Sequence, residues 1–148
     1  MKMKDVIISI TGIQQGEEGP KNTIELVTKG EYSFSNGESA FSYMESELTG
    51  LEGTRTSFIV TPMGVIMNRE GNLNTRMVFE EGKKHYFLYD TPYGSATMGV
   101  NTHKINAQMG EHGGHMEIDY VIDFENAVVG RNKFIINVRE NKKDDARC

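Results

Sequence analysis

Glu45 and Arg69 are the two charges with the most unusual setting in this chain. In an extended backbone Phe41, Tyr43 and Glu45 share one face, and so do Val65, Met67 and Arg69, because successive side chains along a strand point to opposite sides. Each charge therefore ends an apolar row. A carboxylate and a guanidinium delivered to one place form an ion pair, and Tyr43 beside them adds a phenol. Near the mouth of a closed sheet these three groups would make a polar cluster that orients a ligand. A buried Glu45 with a perturbed pKa would also be a candidate general base. The plainer alternative is that both charges stand at strand ends and face water, as charged side chains generally do.

Three further groupings deserve weighing. Asp90-Thr91-Pro92-Tyr93-Gly94 carries an aromatic and hydroxyls that could line a cavity entrance, although Pro and Gly also mark an ordinary tight turn. His112-Gly113-Gly114-His115, with His103 upstream and Glu111 and Glu117 adjacent, hints at a divalent metal. It lacks the helical His-Glu-x-x-His frame and any cysteine ligand, so no metal is assigned. Glu117, Asp119, Asp123 and Glu125 form a carboxylate row that reads as a wet face. There is no Gly-rich phosphate loop, and Gly94-Ser95-Ala96 lacks the frame of a nucleophile elbow. No catalytic residue and no cofactor is expected from these motifs.

The elements that must position these residues are strands. Met116, Ile118, Tyr120, Ile122 and Phe124 alternate with charged residues, a period of two that puts one face in a core and the other in water. The same pattern predicts extended segments at 5–14, 22–34, 41–47, 54–61, 65–69, 74–80, 84–91, 95–109 and 128–139, besides 116–125. Asn36-Gly37 is the strongest hairpin signal, since both residues tolerate the positive φ of a type I′ turn. Pro62-Met63-Gly64, Glu81-Gly82 and Pro92-Tyr93-Gly94 are further turns, and 110–114 is expected to be a loop. Gly30, inside a strand, suggests a bulge or bend. The window 38–51 also fits helical spacing through Ala40, Met44, Leu48 and Leu51, but Phe41 and Tyr43 favour a strand.

Composition narrows the function classes. The 148 residues carry 16 Lys and Arg against 21 Asp and Glu, a net charge of -5, which lacks the electrostatic footprint of a nucleic-acid binder. The single cysteine, Cys148, cannot staple the fold and suits a reducing cytoplasm. The apolar run from Val6 to Ile10 is too short for a secretory signal or a membrane span. Nine Met residues would fill core gaps or suit an adaptable cavity.

Four short motifs carry a family resemblance: Ser42-Tyr43-Met44-Glu45, Asn68-Arg69-Glu70-Gly71, Met77-x-Phe79 and the Thr-Pro-Tyr-Gly stretch from Thr91 to Gly94. In order and spacing, over roughly Val6 to Val138, the chain resembles the YwiB-like family of small bacterial proteins. The resemblance implies a calycin-type, lipocalin-like β-barrel. The family is a domain of unknown function, so the resemblance implies a fold and no activity.

Strands and resemblance together predict an all-β, antiparallel up-and-down barrel of about eight to ten strands, calycin-like, with a two-sheet sandwich as the alternative. Residues 1–140 would form the single domain and 141–148 a polar flexible tail. The expected role is a cytoplasmic protein, monomer or homodimer, that takes a small, partly apolar or amphipathic ligand into the barrel, with no nucleic-acid or membrane partner. The candidate ligand-binding residues are Tyr43, Glu45, Arg69, Thr91, Tyr93 and Tyr120. The alternatives are a small-molecule enzyme using Glu45 and a structural module with a filled interior.

Overall fold

In a computed structural model, residues 3–16 and 19–141 are described. They form ten strands: β1 Lys4–Gln15, β2 Asn22–Ser35, β3 Glu38–Met44, β4 Thr54–Thr61, β5 Gly64–Gly71, β6 Thr75–Phe79, β7 Lys84–Thr91, β8 Gly94–Gly110, β9 Gly113–Phe124 and β10 Ala127–Glu140. Of the expected tail, 141–148, residues 142–148 with Cys148 lie outside the described residues. Asn141 continues the β1–β10 edge, its N–H donating to the Asp5 carbonyl at 2.9 Å.

All ladders are antiparallel, and sequence neighbours pair from β1 through β6 and from β7 through β10. β1 then pairs with β10 from Val6↔Glu140 to Gln15↔Arg131. The chain is therefore an up-and-down meander that curls into a nearly closed barrel. The one seam lies between β6 and β7, where no ladder forms. It is stitched at one end by reciprocal backbone bonds between Asn74 and Asp90, 3.0 and 3.2 Å. At the other end Gly82 N–H donates to the Thr102 carbonyl at 2.8 Å. Closure of this kind removes most of the free strand edge that an open ten-stranded sheet would expose.

Local chemistry explains the corners. Asn36 and Gly37 have φ of 53° and 80°, the two positive values a type I′ hairpin needs. Thr61-Pro62-Met63-Gly64 and Thr91-Pro92-Tyr93-Gly94 build the same turn twice. In each, the Thr hydroxyl accepts from the backbone N–H two residues on and donates to the glycine carbonyl. The expected loop at 110–114 shrinks to a two-residue turn, because β8 and β9 pair as far as Gly110↔Gly113. The 38–51 window is a strand to Met44, followed by a short 3-10 helix, Glu47–Thr49, capped by Ser46. β3 therefore ends before Glu47, and Glu45 lies just beyond it.

Gly30 is not a bulge. The β1–β2 register passes through Val6↔Gly30 without a shift. Its missing side chain serves close approach instead: a Cβ there would collide with Ile8 Cδ1 and the Ser42 carbonyl oxygen. The real register shifts fall at His103, between Thr102 and Lys104, and at Val129, between Val128 and Gly130. Such shifts bend and twist a long strand, which suits β8 and β10, two of the longest here.

The core is unevenly distributed. Val6, Ile8, Tyr32, Phe41, Phe58, Val65, Phe79, Val100, Met116, Ile118 and Ile136 are essentially inaccessible, and they fill the end bearing the β2–β3, β4–β5 and β8–β9 turns. A run of rings that includes Phe41, Phe58 and Phe79 crosses the interior at the inner limit of this end. Phe41 stacks on Phe58 at 5.1 Å, Phe58 meets Phe134 edge-on at 6.0 Å, and Tyr120 contacts both Phe134 and Phe79 at 5.6 and 4.9 Å. Removing one such ring, as in Phe58→Ala, should cost about 3–5 kcal/mol. This aromatic layer closes one half of the barrel and floors the other.

Candidate ligand-binding site

Above that floor the barrel is hollow. A cavity of about 760 Å³ opens toward the end where β1–β2, β3–β4, β5–β6, β7–β8 and β9–β10 connect. Its volume falls within the roughly 300–1,000 Å³ of small-molecule sites. Every strand but β4 contributes lining side chains: Ile10 from β1, Ile24 and Leu26 from β2, Tyr43 from β3, Met67 from β5, Met77 from β6, Phe87 from β7, Met98 from β8, Ile122 from β9 and Phe134 from β10. Gly12 also lines it. A Cβ there would meet only Phe134 Cε1, at 4.0 Å, so this glycine widens the cavity.

One polar row interrupts the apolar wall. Tyr43 of β3 pairs in register with Thr56 of β4, Thr56 with Arg69 of β5, and Arg69 with Thr75 of β6. Residues opposite one another in a ladder share a face, so all four point inward side by side. Glu45 joins them from the end of β3, held by its own N–H to the Thr54 carbonyl at 2.9 Å. Its Oε2 accepts from the Thr56 hydroxyl and lies 3.8 Å from Arg69 Nε. Arg69 Nε also donates to Thr56 Oγ1 at 3.4 Å. The Glu45 side chain is 1% exposed and that of Arg69 17%. The ion pair is thus largely buried, and the alternative of two solvated strand-end charges is set aside.

Burial drives the Tyr43 hydroxyl well above the ordinary range of a phenol. The neighbouring Glu45 charge pushes the same way, against the opposing pull of Arg69. Burial raises Tyr120 likewise, while the Arg69 charge partly offsets it. Both phenols therefore stay protonated and can donate as well as accept. Tyr120 comes from β9 and lines the same cavity as Arg69 of β5.

The six expected site residues divide. Tyr43, Glu45, Arg69 and Tyr120 all line the cavity. Thr91 and Tyr93 do not. Thr91 is occupied with its own turn, and Tyr93 is 99% exposed at the hairpin tip. Three of the five residues expected inside β9, Tyr120, Ile122 and Phe124, line the cavity, with Phe124 partly exposed near the mouth. Met116 and Ile118 belong to the filled half. On the outer face Glu117 and Asp119 pair with Lys133, and Asp123 with Lys84.

Thr56, Thr75 and Gly12 were missed by sequence reasoning. Thr56 and Thr75 are visible once strands β3 to β6 are laid in register, because they fall beside Tyr43 and Arg69. The histidines disperse: His112 contacts Glu140, and His115 lies between Glu117 and Asn137. Among the described residues no group of three or more His, Cys, Asp or Glu is placed to hold a metal.

Fold and cavity together define a hollow up-and-down β-barrel with a charged cluster set in an apolar interior. Residues 8–136 match the family described as a domain of unknown function, DUF1934, and the chain belongs to that family. The crystal structure of the ywiB protein from Bacillus subtilis is similar, with a TM-score of 0.83 and 19% identity over 94% of this chain and 93% of that one. The YwiB-like resemblance and its barrel fold therefore hold. No curated protein matches the chain.

Proposed function

We propose that the barrel binds a small, partly apolar ligand in its interior. The observation that carries this reading is the asymmetry of the core. One half is filled by fully buried side chains, while the other is a cavity of about 760 Å³ walled by Ile, Leu, Met and Phe. A protein selected only for a stable barrel gains by filling such a space, since interiors otherwise pack densely and voids cost stability. The Tyr43–Glu45–Arg69 cluster supplies the few fixed polar groups that orient a ligand in such sites. The lipocalin-like reading of the fold agrees with this, and a cytoplasmic location forms part of the proposal.

The burial of Glu45 at the cavity wall also favours an enzymatic reading with Glu45 as base. Against it, Glu45 Oε2 is already engaged by Thr56 and Arg69, an arrangement suited to holding Arg69 in place.

The test is titration with Nile red, a neutral apolar fluorophore, on the wild type and on Gly12→Phe. The added ring projects into the cavity from a position where space is open. Wild type should bind with a blue-shifted emission and Gly12→Phe should not, with unchanged circular dichroism. Equal binding by both would sink the proposal.

A further inference from the structure

We infer that the ligand's polar head is an uncharged oxygen acceptor of the carbonyl type, in preference to a carboxylate, a phosphate or an amine. This rests on the binding reading above.

Hydrogen-bonding capacity around the cluster is unevenly used. Among the described residues, the only hydrogen bond the Arg69 side chain donates runs from Nε to Thr56. Its two terminal nitrogens, on a side chain that lines the cavity, have no such bond. The Tyr120 hydroxyl, on a residue that is 8% exposed and also lines the cavity, has no hydrogen-bond partner among the described residues. Thr75, the register partner of Arg69, adds a buried hydroxyl without one. On the acceptor side, Glu45 Oε2 already receives Thr56 and lies against Arg69. The Arg69 guanidinium can only donate, so its terminal N–H groups call for an acceptor, and the Tyr120 and Thr75 hydroxyls can donate to the same atom. An ammonium head would instead set a second positive charge beside Arg69.

Charge points the same way. Glu45 and Arg69 cancel at 3.8 Å. An anionic head placed on Arg69 would leave one net negative charge in a desolvated site, close to the Glu45 carboxylate. Like charges at short range in a low dielectric repel strongly. A carbonyl oxygen accepts from Arg69 and Tyr120 without disturbing the balance, and its apolar remainder meets Ile, Met and Phe walls.

Isothermal titration at neutral pH with methyl heptyl ketone, octanoate and octylammonium tests this, because the chains are similar and only the head changes. Wild type should bind the ketone about tenfold or more tighter than either ion. Tyr120→Phe should weaken the ketone roughly three- to tenfold. Glu45→Gln removes the balancing charge with little change of shape, so the affinity for octanoate relative to the ketone should rise about tenfold. Equal affinity for all three heads, or octanoate tightest on wild type, overturns the inference and leaves the cavity reading standing. Nile red binding without binding of any of the three overturns the inference alone. Loss of Nile red as well defeats the binding reading itself.

Discussion

Arg69→Met is the substitution that most strains the account of the polar cluster. It keeps most of the side-chain volume and removes the positive charge, leaving a Glu45 carboxylate that is 1% exposed with only hydroxyl neighbours. Coulomb's law at the observed 3.8 Å, with an effective dielectric of about 20, gives roughly 4 kcal/mol. Arg69 retains some exposure to the open cavity, and solvent there screens the pair, which lowers the expected loss to about 2–3 kcal/mol. Glu45→Gln should cost about 2 kcal/mol, because the amide oxygen still accepts from Thr56. The double variant then removes both charges together. Its loss should fall short of the sum of the single losses by about 2 kcal/mol. Urea unfolding of the four proteins measures all three differences, with the slopes checked for constancy. A coupling below about 0.5 kcal/mol would refute the reasoning, since it would mean that the two charges do not depend on each other.

Three other outcomes follow from the structure. Gly30→Ala should destabilise by about 2 kcal/mol or more in urea, because the new methyl collides with backbone at Ser42 as well as with Ile8; a neutral result would mean that β1 and β3 flank β2 less closely. Burial raises Tyr43 and Tyr120 from an ordinary 10.0, so the unfolded chain loses these protons near that pH while the folded chain keeps them. Stability is then complete below about pH 10 and falls as pH rises toward the folded values, by roughly 1 kcal/mol per pH unit for each phenol, and Tyr43→Phe with Tyr120→Phe should flatten that decline in alkaline unfolding curves. Tyr93→Ala should leave both Nile red affinity and unfolding midpoint within about 0.5 kcal/mol of wild type, and a clear loss of affinity would return the hairpin tip to the site.

Much of this architecture was legible in the sequence because strands leave a short-range signature. The extended segments expected at 54–61 and 84–91 match β4 and β7 to the residue, and Asn36-Gly37 marks its turn. That Tyr43, Glu45 and Arg69 extend apolar rows followed from parity alone, which needs no knowledge of partners but left open whether the two charges face the interior or water. Thr56 and Thr75 escaped notice because a threonine on a strand is ordinary until its register neighbours are known. Register across the four strands β3 to β6 is a property that no local pattern carries. Gly12 and Gly30 look alike in sequence, yet one opens a cavity and the other admits a neighbouring backbone. Thr91 to Gly94 misled for the opposite reason. Its conspicuous residues all serve one turn, as the parallel turn at Thr61 to Gly64 makes plain.

The central claim is that the hollow half of the barrel holds a ligand, and native mass spectrometry of the protein purified gently from its own cells tests it most directly. The account predicts a reproducible added mass on the wild type that is absent from Gly12→Phe. The bare chain mass on both proteins, or the same added mass on both, would contradict it.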